Sequence, residues 1–189
     1  MTTITKSDLA LASVYFPILV EVAKTGKLIT YSQLVDQAKT LHPENPIVQN
    51  AIAVSTGRRL DVVRMFTKDA KCPDLTSLVV NKAKGECGEG FTKSFNPEAV
   101  RDEVQRHDWS QVKTDFEGFI ETTEKKIKPR KKVSSKEAAE IRYQYYLQHK
   151  ELLPQQIRDY RDYLDECIME GIDVSDAFAE CISRIKREV

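Results

Sequence analysis

Apolar positions in the first part of the chain recur at helical intervals. Between Asp8 and Lys24, the residues Leu9, Ala12, Val14, Phe16, Leu19, Val20 and Ala23 gather broadly on one side of a helix, and Gly26 is a natural stop. Thr30-Tyr31-Ser32-Gln33 reads as a capping box opening a second helix to about Leu41, with Leu34, Val35 and Ala38 inward. His42-Pro43 ends it, because a residue before proline avoids helical geometry. Asn45-Pro46 restarts helix with a cap and a first-turn proline, and Ile47, Ala51 and Ile52 form its apolar stripe. Thr56-Gly57 suggests a break, after which Leu60, Val63 and Phe66 share one face while Arg58, Arg59 and Asp61 are expected in solvent.

The period then shortens. Residues 74–82 (Asp-Leu-Thr-Ser-Leu-Val-Val-Asn-Lys) are apolar and β-branched at strand length, and Gly85, Gly88 and Gly90 follow closely, which predicts a hairpin returning into a second strand at Phe91. Helical signals resume at Asn96-Pro97 and again at Asp108, where Trp109, Val112, Phe116, Phe119 and Ile120 supply apolar bulk. Beyond a polar stretch, Ser134 to Glu137 is a further capping box for a helix to about Leu153, stopped by Pro154. Helices from Gln155 to Glu170, ending at Gly171, and from Ser175 to Lys186 complete the pattern. Ile141, Tyr145, Leu164, Ile168, Phe178, Ile182 and Ile185 are positioned to close a small bundle. At roughly 50 residues such a bundle is marginal alone, so it is expected to pack on the preceding domain, a partner chain or a second copy.

Charge sharpens these boundaries. The chain has 189 residues with 29 basic and 29 acidic side chains, hence no formal net charge. Residues 1–123 carry 15 basic against 16 acidic groups, residues 124–136 carry 7 against 1, and residues 137–189 carry 7 against 12. Three parts follow: a helical domain with a small β element at 1–123, a basic linker at 124–136 and an acidic helical segment at 137–189. The linker's cations suit phosphates, a flexible tether or a localisation signal. Folding of the acidic tail back onto the basic linker is a further expectation.

Candidate chemistry is sparse. Cys72, Cys87, Cys167 and Cys181 lie far apart, as do His42, His107 and His149, so no zinc-type ligand spacing occurs. No P-loop, catalytic triad order or H-E-x-x-H motif is present, so neither an enzyme nor a cofactor is expected. No apolar run reaches the roughly 20 residues of a membrane span, and the N-terminus is a poor signal peptide. A cytoplasmic, non-membrane protein is the expectation.

Helices followed by a two-stranded hairpin is the element order of a winged helix-turn-helix, in which the helix before the hairpin enters the major groove and the wing reaches the backbone. On that reading the fold is mainly α, a winged-helix-like domain with a two-stranded β-wing plus a C-terminal helical segment. Arg58, Arg59 and Arg64 on the recognition helix, Lys82 and Lys84 on the wing, and Lys128, Arg130, Lys131 and Lys132 in the linker are the candidate nucleic-acid contacts. The alternative for the arginines is a solvated helix face.

The residues Ile29-Thr30-Tyr31-Ser32-Gln33-Leu34, Asn50-Ala51-Ile52, Leu78-Val79-Val80-Asn81-Lys82 and Gly85-Glu86-Cys87-Gly88-Glu89-Gly90-Phe91 resemble the winged-helix domain of alkyltransferases and alkyltransferase-like proteins over about residues 28–92. That family carries its reactive cysteine in Pro-Cys-His-Arg, whereas this chain has Lys71-Cys72-Pro73-Asp74. The resemblance therefore implies a nucleic-acid-binding shape without the alkyl-transfer reaction.

The functional expectation is a non-enzymatic, duplex-DNA-binding protein in regulation, DNA processing or defence and counter-defence. The alternative is a protein-interaction adaptor or inhibitor acting through the acidic C-terminal helices, where Tyr143, Tyr146, Tyr160 and Tyr163 would meet a protein partner or a second copy.

Overall fold

Thr5 begins the first helix by trading hydrogen bonds with Asp8. Thr5 Oγ1 accepts from the Asp8 amide at 3.1 Å, and Asp8 Oδ2 accepts from the Thr5 amide at 3.0 Å, a complete capping box. Helix α1, Lys6–Thr25, follows and ends at Gly26, whose φ of 65° is the left-handed cap that glycine adopts without penalty. The computed structural model describes residues 3–92 and 94–188. It is mainly helical and divides into two units, one of residues Ile4–Ile127 and a second that joins Thr3 to residues 128–188.

In the first unit α1 is the central element, with Leu9, Leu11, Ala12, Tyr15, Phe16 and Leu19 all buried. Around it stand α2 (Tyr31–Leu41), the short α3 (Pro46–Gln49), α4 (Thr56–Asp69), α6 (Pro97–Arg106) and α7 (Val112–Lys126), with a single helical turn, α5 (Glu89–Thr92), preceding α6. The expected caps operate: Thr30 and Gln33 bond each other's backbone at the start of α2, and Asn45 and Asn96 cap α3 and α6. An aromatic cluster joins three helices. Phe16 of α1 stacks on Phe116 of α7 at 4.0 Å between centroids and meets Phe66 of α4 edge-on at 5.5 Å. Trp109 packs beside them and donates from Nε1 to the Val104 carbonyl at 2.9 Å.

The β element differs from the expected hairpin. Strand β1, Ile29–Thr30, pairs with β2, Val79–Val80, and the ladder is parallel, with Ile29 opposite Val79 and Thr30 opposite Val80. Four of the nine residues of the expected strand at 74–82 form a 3₁₀ turn, Leu75–Leu78, and only Val79–Val80 is strand. The cause is local: Asp74 Oδ1 accepts from both the amide and the hydroxyl of Thr76 at 2.9 and 2.6 Å, which diverts the backbone from an extended path. No return strand forms at Phe91 among the described residues. Cys87 and Phe91 instead turn inward against Val80 and Val100, and the chain there is helical. After β2 comes a closed loop, residues 81–86, in which the Asn81 amide donates to the Glu86 carbonyl and the Gly85 amide to the Asn81 carbonyl, each at 2.8 Å.

The second unit contains α8 (Ser135–His149), α9 (Arg161–Met169) and α10 (Val174–Glu188), with a 3₁₀ turn at Gln155–Tyr160. Helix α8 stops short of the expected Leu153, and the expected helix from Gln155 begins instead with that 3₁₀ turn. Tyr163, Leu164, Cys167, Ile168, Ile172, Phe178, Cys181 and Ile185 form the core, with Ile141, Tyr145 and Ile182 packed against it, so the small bundle read from the sequence is present.

Residues 124–136, the expected linker, span the boundary between the two units. Residues Glu124–Lys126 are the last turn of α7, and residues 128–134, in neither helix nor strand, form a strap of the second unit. Val133 lies against that unit's core, its amide donates to the Met169 carbonyl at 3.2 Å, and Lys132 pairs with Glu170 at 3.0 Å. Gly171, at φ 78°, permits this seating: a Cβ there would lie 2.6 Å from the Lys131 carbonyl oxygen. The strap thus lies on the acidic segment through the Val133–Met169 backbone bond and the Lys132–Glu170 ion pair.

Candidate nucleic-acid interface

Arg58 and Arg59 are not on a solvent face. Their side chains are 3% and 2% exposed, and the reason is Asp8, a carboxylate drawn inside by its capping role. Arg58 grips it with both arms, Nη2 to Oδ2 at 2.8 Å and Nε to Oδ1 at 3.3 Å, while Arg59 Nε lies 3.3 Å from Oδ1. Arg59 also donates from Nη1 to the Ser55 carbonyl at 2.7 Å. Burial pushes the Asp8 carboxyl up, but Arg58 and then Arg59 overcome this and hold it below the usual carboxylate range. Helix α4 buries Leu60, Val62, Val63 and Phe66 as well, so it is a core helix on most of its circumference and cannot offer these arginines to a groove.

Asp8 is the residue that sequence reasoning missed. Its signal was the Thr5-x-x-Asp8 spacing immediately before the first apolar run, a capping-box variant.

Arg64 is partly exposed and engaged locally. Nε donates to Asp74 Oδ2 and Nη2 to Thr76 Oγ1, both at 2.9 Å, and the guanidinium lies 5.2 Å from the Phe91 ring centre. Beneath this group Arg101 donates from Nε to the Ser77 carbonyl at 2.9 Å and from Nη2 to Cys87 Sγ at 3.2 Å. Burial pushes the Cys87 thiol up, with Arg101 opposing it, so the sulfur is held as a neutral packing group. Cys72 is half-buried, and its thiol is likewise pushed up by burial and by Asp115.

The lysines stay outside. Lys82 and Lys84 are exposed on the closed loop 81–86, where Asn81 Oδ1 accepts from the Ala83 amide at 2.8 Å and helps hold the turn. In the second unit Lys128, Lys131 and Lys132 are exposed and Arg130 half-buried along the strap. Residues 128–136 contain five basic side chains and no acid. Among the described residues, no carboxylate lies within ion-pair distance of Lys128, Lys131 or Lys136.

The four candidate tyrosines separate. Tyr143 is exposed, Tyr146 and Tyr160 are half-buried, and Tyr163 is fully buried, which removes it from any partner surface. The Tyr163 hydroxyl donates to Glu180 Oε1 and accepts from Arg184 Nε at 3.0 Å, an internal polar knot between α9 and α10. Arg158 donates to the Tyr146 hydroxyl at 3.0 Å.

Among the described residues no group of His, Cys, Asp and Glu is arranged to hold a metal ion, and no helix is long and apolar enough to cross a membrane. Compared with known proteins, the chain matches no family model, no curated protein and no solved structure.

Proposed function

We propose that the protein binds nucleic acid, duplex DNA in the first instance, through exposed lysines with the half-buried Arg130 rather than through Arg58 and Arg59. The observation that carries this reading is the strap: five cations and no acid in residues 128–136, on a backbone seated against a packed core. A strap fixed by the Val133–Met169 bond and by Gly171 loses less backbone freedom on binding than a loose basic tail would. Lys82 and Lys84 on loop 81–86 supply a second basic feature, in the place where the winged-helix reading puts its wing. The alkyltransferase-like resemblance fits the same reading, a binding shape without a reactive thiol.

Such contacts act on phosphates. Each neutralised phosphate releases a counterion, so affinity falls with salt at a slope of about −0.9 per contact, or roughly −3 to −4 for Lys128, Arg130, Lys131 and Lys132 together. Base-edge readout needs a side chain placed in a groove, and the buried α4 arginines do not provide one. Modest sequence preference follows.

Fluorescence anisotropy with a labelled duplex, titrated at several salt concentrations, tests this. Lys128→Ala with Lys131→Ala should weaken binding at every salt and reduce the slope by about 2. An absence of binding at low salt, or an unchanged slope in that double variant, overturns the reading.

A further inference from the structure

Helix α8 carries apolar residues on the face its own unit does not use. Ala138, Ile141 and Tyr145 turn toward the core of the second unit, yet Tyr143 is 53% and Leu147 44% exposed, and Leu152 just beyond the helix is 84% exposed. Lys136, Glu140, Tyr143, Leu147 and Lys150 follow one another at intervals of three and four, so they line a single stripe, all exposed. Tyrosine and leucine at its centre are flanked by Glu140 on one side and Lys150 on the other, with Lys136 beyond Glu140, so the central four residues are self-complementary only in one direction.

We propose that the protein self-associates as a two-fold dimer, with α8 packed antiparallel against α8 of a second copy. The two-fold axis passes at the level of Tyr145, midway between Tyr143 and Leu147. Tyr143 of each copy then covers Leu147 of the other, and Glu140 of each faces Lys150 of the other, giving the same ion pair twice as an isologous interface requires. Parallel pairing would instead set Glu140 against Glu140 and Lys150 against Lys150, a like-charge arrangement that disfavours it. Glu140 makes no ion pair within its own chain among the described residues, and Lys150 only a long one of 3.8 Å to its exposed neighbour Glu151. Both are therefore available to a second copy. A contact confined to one 15-residue helix per copy falls at or below the roughly 1,200 Å² of a standard stable interface. The dimer is accordingly weak and concentration-dependent.

Sedimentation velocity of the full chain over about two decades of concentration reads this directly. The mean mass is expected to climb from one chain toward two. Leu147→Glu should hold it at one. Glu140→Lys alone, or Lys150→Glu alone, should raise the dissociation constant about five- to tenfold, because each reversal affects two symmetric pairs. The combined Glu140→Lys, Lys150→Glu variant should recover the original dissociation constant. These charge reversals lie on exposed positions outside the core, so they remain informative even if Leu147→Glu perturbs folding. A chain that stays monomeric throughout overturns the proposal, including one whose α8 face captures only some other protein. So does a dimer that ignores Leu147→Glu, or a charge swap that fails to restore association.

Discussion

The Arg58 guanidinium donates from Nη2 to Asp8 Oδ2 at 2.8 Å, across fifty residues of sequence and with both side chains almost wholly out of water. This bond ties the N-terminus of α1 to the first turn of α4, the two helices that make the most extensive contact in the first unit. Arg58 and Arg59 are structural cations, and substitutions there should act on stability before they act on any ligand.

Asp8→Asn keeps the shape of the side chain and much of its capping geometry, but removes the buried charge that both guanidiniums share. Breaking a buried pair from one side costs about 3–5 kcal/mol. Urea unfolding followed by circular dichroism should show a lowered midpoint with little change in slope. A loss below about 1 kcal/mol would place the pair among ion pairs of surface strength.

The same carboxylate sets an acid limit. Its folded-state pKa lies below the ordinary value, because Arg58 and Arg59 outweigh the opposing effect of burial. Its contribution is therefore fully present above the unfolded value of about 3.9 and is lost as pH falls below it toward the folded value. The stability of the first unit should drop in that range, and Asp8→Asn should flatten the drop. A pH titration of the urea midpoint between neutrality and acid checks the sign.

Helix ends were legible in the sequence because caps are local chemistry. Thr30 with Gln33, Asn45, Asn96 and Ser134 bond the backbone two or three residues ahead, and each stands where its residue type predicts a cap. The apolar spacing also placed the C-terminal core correctly. What failed was non-local. A charged residue on a short helix reads as solvent-facing unless its partner is known, and the partner of Arg58 and Arg59 is fifty residues upstream. The run Leu75–Val80 was equally ambiguous: a buried apolar stretch is compatible with strand or 3₁₀ turn, and Asp74 decided it by bonding Thr76. Charge alone likewise does not reveal that Val133, inside the basic stretch, reaches a core.

Gly171 and Gly85 both sit at positive φ, 78° and 66°, yet they should respond differently to alanine. At Gly85 nothing lies within 4 Å of an added Cβ, so Gly85→Ala costs only the left-handed backbone penalty, roughly 1–2 kcal/mol. At Gly171 the added carbon would also meet the Lys131 carbonyl at 2.6 Å and Arg130 Cβ at 2.8 Å, displacing the strap. Thermal melts should rank Gly171→Ala as clearly the more damaging, and limited proteolysis should then cut within residues 128–134. Equal melts would show that the strap is not seated by this contact.

Thiol reactivity should follow burial. Cys72 is half-buried, while Cys87, Cys167 and Cys181 are buried. The upward displacement of the Cys72 and Cys87 thiols keeps both protonated near neutrality. Alkylation of the native protein, read by mass spectrometry, should modify Cys72 first and slowly, with the other three reacting only after denaturation. Rapid native labelling of Cys87 would contradict the packing around Arg101 and Ser77.

Tyr163 and Tyr143 looked equivalent as sequence, two tyrosines in one acidic segment, and the structure assigns them opposite behaviour. Tyr163 is buried, and its hydroxyl lies between Glu180 and Arg184, whose Nη2 is 3.2 Å from Glu180 Oε1. Tyr163→Phe removes one hydroxyl but leaves that ion pair intact, so the cost should be about 1 kcal/mol, the worth of a typical hydrogen bond. It should appear as a lower melting temperature of the second unit without any change in self-association. Tyr143→Ala is the converse: an exposed side chain whose loss should leave the melt of the dilute monomer nearly unchanged while weakening the dimer. Measuring both variants by thermal melt and by sedimentation separates the two roles. If Tyr163→Phe weakened association at unchanged stability, the internal knot between α9 and α10 would not be what that hydroxyl is for.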